Sequence, residues 1–399
     1  MAQAEKLNAP ATTTGPRWFD GLDGLRALAA FLIVLHHAGF ASGLTFTSDW
    51  VGPFLARMEI GVPVFFLLSG FLLFRPFVAA QFAGERPSDV VGFWLRRLVR
   101  IFPAYWLAYF VLLAVGAISV VGIAGYPANG LLAHIYRPLW VKSGITQSWS
   151  LGTEISFYLV LPGLALIGAR LGAGRSINRQ AIRLLTFCAG LAALSLVFRL
   201  GMHTVSPYWA NSYGAVSRLW LPSYLDVFGT GMGLAVLSAW AEHRSLVAGY
   251  LASITRRVWP WYLAALVMYW MVCTQLELGR GLEMGTFPME VARQTFYLGV
   301  ALAMVFPVIF ADPQRSLIVR FFCHPVMAFL GSISYGVYLW HQAFLTWIRH
   351  ILDWPEFQAN FLVLVAGASL GSAAVAYVSF RLLEQPLMAK VRRWLAARS

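Results

Sequence analysis

Charge is scarce in this sequence. Of 399 residues only 12% are Asp, Glu, Lys or Arg, about half of the roughly 25% found in soluble domains. Hydrophobic residues make up 59%, and the mean hydropathy is +0.67. So little charge excludes an ordinary soluble fold, and the chain reads as an integral membrane protein. Acids are rarer than bases, 17 against 30, for a formal charge of +13. In a soluble chain that balance would raise the question of nucleic acid; here the bilayer accounts for it, and no nucleic-acid partner is expected. Cysteine is nearly absent. Cys188, Cys273 and Cys323 stand far apart in apolar surroundings, which argues against a disulfide framework or a cysteine metal site and leaves them as packing residues. Ten-residue alternating segments are also missing, which excludes an outer-membrane barrel. The polar N-terminus lacks the basic n-region of a signal peptide. No solenoid repeat or low-complexity tract is visible.

What the chain does have is long apolar runs. Segments of spanning length fall at roughly 24–44, 60–82, 102–123, 151–170, 184–201, 219–240, 258–276, 291–311, 326–351 and 358–382, each close to the twenty or so residues a bilayer requires. The expected fold is therefore all-α and polytopic, with about ten transmembrane helices. If the N-terminus is cytoplasmic, the inner segments hold twenty of the thirty basic residues, including Arg96, Arg97, Arg100, Arg244, Arg256 and Arg257. Only eight fall outside, namely Arg57, Arg137, Lys142, Arg199, Arg218, Arg280, Arg293 and Arg349. Basic residues accumulate in cytoplasmic loops, so both termini are expected inside. The expected organisation is a disordered cytoplasmic tail over 1–18, a membrane domain over 19–386 and a basic cytoplasmic tail over 387–399, with no soluble domain appended.

Ionisable groups within spans are costly unless they face a cavity or a partner, so each is a candidate for function. In the first span, Arg26 and His37 are eleven residues apart, which places them within about 20° on one helical face and about 16 Å apart along the axis. His36 lies about 80° away by the same arithmetic, so the two histidines should differ in role. An interfacial reading, with Arg26 snorkelling inward and the histidines marking the outer end, stands beside the functional one. Ser69, in Phe-Leu-Leu-Ser-Gly-Phe, lacks the surroundings of a nucleophile elbow and reads as a small packing residue. Arg97 and Arg100 precede the third span, as topogenic charge or as an anion cradle beside Arg26. Glu154 opens the fourth span one position past the site of a capping-box acid. Asp226 and His341 are further buried polar groups, each also explicable as an interhelical hydrogen-bonding residue. Gly229-x-Gly231-x-Gly233 follows no strand and reads as close helix packing. The eight histidines show no familiar zinc spacing, and no metal is expected.

Several segments together resemble the acyltransferase-3 family of polytopic membrane O-acyltransferases. They run in order from Phe19-Asp-Gly-Leu-Asp-Gly-Leu-Arg26 through the Arg26-x10-His37 pair, Phe65-Phe-Leu-Leu-Ser-Gly-Phe71 and Arg97-x-x-Arg100-Ile-x-Pro103. Trp149-Ser-Leu-x-x-Glu154 with Phe157-Tyr158, Ser334-Tyr335 through Trp340-His341, and Glu384-Gln-Pro386 complete the series. Where the family often carries a second acid beside the Glu154 position this chain has Ile155, and the C-terminal hydrolase-like domain of many relatives is not expected here.

The resemblance implies transfer of an acyl group, acetyl by default, from cytoplasmic acyl-CoA to a hydroxyl of a cell-envelope glycolipid or glycan at a bacterial inner membrane. It implies catalytic roles for His37 as general base, Glu154 as orienter of the imidazole or acceptor, and Arg26. Arg26, Arg75, Arg97 and Arg100 would hold the donor, since guanidinium groups suit phosphates. Trp149, Tyr158, Asp226 and His341 would meet the substrate. The Ala- and Arg-rich composition with almost no Lys suggests a GC-rich bacterium. A transporter or flippase of an envelope lipid or small molecule is the competing class, but such proteins more often show paired repeats between two halves.

Overall fold

The apolar runs fold as helices throughout. The computed structural model describes residues 19, 21–85, 89–206, 212–281 and 285–397, and among them there is no strand. The expected N-terminal tail, and with it Lys6 and Arg17, lies outside the described residues, as do Arg86 and Arg398. Ten helices of 16 residues or more stand among those described. They are α1 (Gly21–Ser42), α2 (Gly61–Ala83), α3 (Val90–Ala114), α4 (Trp149–Gly172), α5 (Ile177–Val205), α6 (Leu225–His243), α7 (Trp259–Thr274), α8 (Phe287–Phe310), α9 (Pro325–Ile351) and α10 (Phe361–Ser379). They coincide one for one with the ten apolar segments. Seven of them, α1 to α5, α8 and α10 with its continuation, are long and apolar enough to cross a membrane. The other three fall short for separate reasons. The 16 residues of α7 span only about 24 Å at 1.5 Å per residue, α6 carries Asp226 and Glu242, and α9 is diluted by Ser, Tyr, His and Gln. Leu159, Leu166, Leu194, Val197, Leu266 and Leu370 are exposed around the outside. Such a belt suits lipid tails, whereas in water it would be a broad aggregation surface. The chain is a multi-pass membrane protein.

Two segments depart from expectation. The third helix begins at Val90 instead of near 102, because Asp89 caps it, accepting from Val91 and Gly92 N–H. Arg97 and Arg100 thereby become residues of the helix and not of the loop before it. The basic C-terminal tail is also helical. A π-turn at Phe380–Glu384 carries α10 into α11 (Gln385–Ala396), whose amphipathic face lies against α3.

Helix α1 is central, touching α2, α9 and α10, while α6 packs on α2 and α5, and α7 on α8. Between α2 and α6 glycine allows backbone contact. A Cβ at Gly231 would lie 2.2 Å from the Leu67 carbonyl oxygen, and one at Gly70 would lie 2.3 Å from that of Phe228. The Gly-x-Gly-x-Gly string is thus a helix-packing device, as small residues commonly are in membrane bundles. At one end of the bundle Gln81 meets Gln180 and Arg244 meets Asn178. At the other, Arg280 reaches Ser48 and Asp49, and Tyr269 reaches Phe54. Alternate loops therefore gather at opposite ends. The segment between α3 and α4 is ordered against α3, where Tyr105, Trp106 and Tyr109 donate to the carbonyls of Asn129, Gly130 and Tyr126.

Candidate active site

Two cavities lie along α1. Because α1 is unbroken from Gly21 to Ser42, Arg26 and His37 are separated by the eleven-residue rise of about 16 Å. They fall in different cavities.

The first cavity is lined by Arg26, Ser69, Arg97, Arg100, Glu154 and Tyr158, with Phe66 and Tyr338 among its apolar and aromatic walls. Arg26 is held by Asp23 at 2.7 Å, one helical turn earlier. Glu154 accepts from the Ser69 hydroxyl and from the Tyr158 hydroxyl at 2.6 Å, both on Oε1. Arg97 and Arg100 have no carboxylate within 4.0 Å among the described residues. The buried Nε of Arg97 has no hydrogen-bond partner there, and its guanidinium lies 6.0 Å from the Phe93 ring. Three arginines thus face one cavity against a single acid on its wall, a donor set suited to an anionic ligand. A buried guanidinium left without a partner is costly.

The second, larger cavity is lined by His36, His37, Thr146, Gln147, Trp149 and Tyr224 together with several charged side chains. Its chemistry centres on a histidine pair. His341 Nε2 lies 3.0 Å from His37 Nδ1, which is also 3.0 Å from the Ile33 carbonyl oxygen. His341 Nδ1 lies 2.8 Å from the Tyr338 carbonyl oxygen. Carbonyls only accept, so in the neutral pair His341 carries its proton on Nδ1 and presents a lone pair at Nε2. His37 then donates from Nδ1, and its Nε2 keeps the free lone pair. His36 is held differently, with Nδ1 at 3.0 Å from the Leu55 carbonyl.

The cavities back onto one another. Tyr338, on the wall of the first, donates to the Gln147 carbonyl and accepts from Ser150 Oγ at 2.8 Å, while Gln147 Nε2 donates at 2.9 Å to the Leu339 carbonyl. The Phe66 ring lies 5.0 Å from Tyr224 and 6.4 Å from Trp149. Phe66, Trp149, Ser150 and Tyr338 therefore form the partition.

The structure brings Arg26, Arg97, Arg100, Glu154 and Tyr158 together, and separately His37, His341 and Trp149. It does not bring Glu154 to His37; His341 stands in that place, and Glu154 instead faces the arginines. Arg75 lies apart from both groups, held by Glu242 and by Ser238 at 3.1 Å, with its guanidinium 5.2 Å from the Phe19 ring. Asp226 sits behind the second cavity, paired with Arg199 at 3.0 Å and within 3.3 Å of Gln294 Nε2. Ser69, read from sequence as packing alone, also hydrogen-bonds Glu154. A further network went unremarked. Arg293 joins Glu59 at 2.9 Å and Glu290 at 2.7 Å, and Glu290 also takes Arg218 at 2.7 Å. From sequence its arginines read only as outer-loop charge. Among the described residues no three His, Cys, Asp or Glu side chains gather as a metal-ligating group.

Comparison with known proteins places the chain in a family. The peptidoglycan O-acetyltransferase OatA of Listeria monocytogenes is 23% identical over 387 residues, covering 93% of this chain and 56% of its own. The O-acetyltransferase OatA of Staphylococcus aureus is 24% identical over 403 residues, with 94% and 58% covered. The putative peptidoglycan O-acetyltransferase YrhL of Bacillus subtilis is 22% identical over 408 residues, with 93% and 55% covered. The chain thus spans a little over half the length of these curated relatives. No solved structure matches it. The acyltransferase-3 profile, described as an acyltransferase domain, matches residues 19–381, and on that near-complete match the chain belongs to the acyltransferase-3 family.

Proposed function

We propose that this protein is a membrane O-acyltransferase that moves an acyl group, acetyl in the first instance, from acyl-CoA to a hydroxyl of a cell-envelope glycan. The observation that carries the reading is the arginine cavity, where Arg97 and Arg100 face an interior with no carboxylate partner among the described residues. CoA is a polyanion, and guanidinium groups in a dry site bind phosphate strongly. Arg26, Arg97 and Arg100 would hold the donor, and the orphaned Nε of Arg97 fits that task. Bound there, acyl-CoA supplies an activated thioester.

His37 performs the proton work. Its Nε2 takes the proton of the acceptor hydroxyl as the new O–C bond forms at the acyl carbon, and the C–S bond breaks. The imidazolium returns that proton to the departing sulfur, leaving an O-acyl ester and free CoA thiol. His341 Nε2 and the Ile33 carbonyl both accept from His37 Nδ1; they fix the tautomer and stabilise the charged ring. Glu154, tied to Ser69 and Tyr158, sets the charge and shape of the donor cavity and does not orient the base. Trp149, on the His37 cavity, offers a ring face for a sugar, whereas Asp226 acts one layer back, through Arg199. The names of the relatives favour peptidoglycan as the acceptor, with a glycolipid as the other envelope class.

The same reading takes ten spans with both termini cytoplasmic, in a bacterial inner membrane, with the arginine cavity toward the cytoplasm. Purified protein in nanodiscs, given acetyl-CoA and glycan fragments, should release CoA thiol in an acceptor-dependent way and add an O-acetyl mass to the fragment. Acceptor movement across sealed vesicles with no thiol release would establish transport instead.

A further inference from the structure

The second cavity carries a charge imbalance that the acyl-transfer chemistry leaves unused. Six cationic side chains line it, Arg57, Lys142, Arg199, Arg218, Arg280 and Arg293, against two carboxylates, Glu59 and Glu290. Glu59 and Glu290 are engaged by Arg293 and Arg218. Asp226, buried behind the wall, and the exposed Asp49 take Arg199 and Arg280, each at 3.0 Å. Among the described residues that leaves Arg57 and Lys142 with no carboxylate within 4.0 Å. Arg57 is the more telling of the two. It is only 7% exposed, and the bond it makes, to the Gly279 carbonyl, brings no countercharge. Glu59, two residues on, stands within electrostatic reach of Arg57 but is paired directly with Arg293, so a ligand anion would complete the neutralisation of this buried guanidinium.

A second feature of the same cavity points to the rest of the ligand. The Trp149 and Tyr224 rings stack at 5.9 Å and 29°, and both line the cavity. Flat aromatic faces receive the apolar face of a pyranose. His37 lines the same cavity.

We propose that this cavity is an acceptor site specific for acidic sugars: the Trp149–Tyr224 platform receives the ring, Arg57 and Lys142 hold a carboxylate or phosphate on it, and a hydroxyl faces His37. Only the last clause rests on the acyl-transfer reading.

Binding measured without turnover tests it. The protein in nanodiscs is titrated with three disaccharides of one size: neutral N,N′-diacetylchitobiose, its C6-oxidised uronate and its 1-phosphate. At least one acidic probe should bind about tenfold more tightly than the neutral one at low salt, the equivalent of about 1.4 kcal/mol, with the advantage shrinking as salt rises. Which acid binds better identifies carboxylate or phosphate as the anchor. Arg57→Gln should abolish the advantage while leaving neutral-probe affinity as a check on folding. Arg57→Lys should retain most of it, and Lys142→Ala should narrow it. His37→Ala should keep acidic-probe binding intact, so loss of transfer and loss of this site are read separately. Equal binding of all three probes, binding of none, or an Arg57→Gln variant that keeps the advantage would overturn the proposal. So would a variant whose defect is a raised KM for acetyl-CoA, which would give the cavity to the donor.

Discussion

Replacing His341 by Leu removes the acceptor that His37 Nδ1 meets at 3.0 Å while leaving the Ile33 carbonyl at the same distance. The neutral ring therefore keeps one partner. What it loses is the second acceptor, which matters most when Nε2 takes a proton and Nδ1–H belongs to a cation. A hydrogen bond to a charged group contributes about 1.5–3 kcal/mol, and about 1.36 kcal/mol is tenfold in rate. His341→Leu should thus lower kcat by about 10- to 150-fold, with little change in KM for acyl-CoA, whose proposed site lies in the other cavity. His37→Ala should cost more, within the 10²–10⁴-fold range of a lost general base. The decisive variant is the double one. If His341 acts only through His37, His37→Ala with His341→Leu should be no slower than His37→Ala alone. The assay is acceptor-dependent release of CoA thiol from purified protein in nanodiscs, with accumulation and thermal stability of each variant matched first. Rate losses that add in logarithm, or a His341→Leu variant at full kcat, would refute the proton accounting.

Other expectations follow from single features. Arg97→Ala or Arg100→Ala should raise KM for acyl-CoA about 10- to 100-fold with a smaller effect on kcat, since a charge-assisted contact contributes about 1.5–3 kcal/mol; unchanged KM in both would remove the donor assignment. Gly231→Val sets a side chain where even a Cβ lies 2.2 Å from the Leu67 carbonyl, and overpacking of this kind costs about 1–3 kcal/mol; a thermal melt in detergent equal to wild type would show that α2 and α6 are not in backbone contact. In a background free of the three native cysteines, cysteine at Ile123, which is 91% exposed, and at Ser176 should label from opposite faces, and labelling from one face would break the alternation of spans. His134, fully buried between spans, has its pKa pushed down to about 4 by burial, so the folded chain excludes a proton that the unfolded chain binds below about 6.5. The stability this gives is complete above pH 6.5 and is lost as pH falls toward 4; a His134→Gln variant should show a flatter dependence of melting temperature on pH over that window.

The helices were legible because twenty-residue apolar runs have few alternatives in a bilayer: ten runs became ten helices, seven of them long and apolar enough to cross a membrane. Boundaries were less so. The third helix was placed too late because hydropathy falls where Arg96, Arg97 and Arg100 stand, while the signal that sets its start, Asp89 as cap, is local and polar. Helical phase along α1 put Arg26 and His37 on one face, but a single helix cannot say that each opens into a different cavity. That separation depends on Phe66, Trp149 and Tyr338, from three different segments. Pairing across helices was illegible for the same reason: Ser69 with Glu154, and His37 with His341, are 85 and 304 residues apart. The basic residues expected outside carry two signals at once, and charge counting alone does not separate topology from the single cavity that six of them line.

The partition gives the proposed reaction a direction. Phosphates held by Arg26, Arg97 and Arg100 would have to leave a matched charge environment to approach His37, at a cost of several kcal/mol for each unpaired ion moved into a drier region. A thioester at the end of an uncharged arm carries no such penalty, and about 16 Å along α1 is a distance such an arm can cover. The part of the donor that is recognised can therefore stay in one cavity while the part that reacts enters the other. Tyr338 stands in the partition, where its hydroxyl bonds Gln147 and Ser150, and its helix also carries His341. The Tyr338 carbonyl also fixes the His341 tautomer, so the partition and the base depend on one residue of α9.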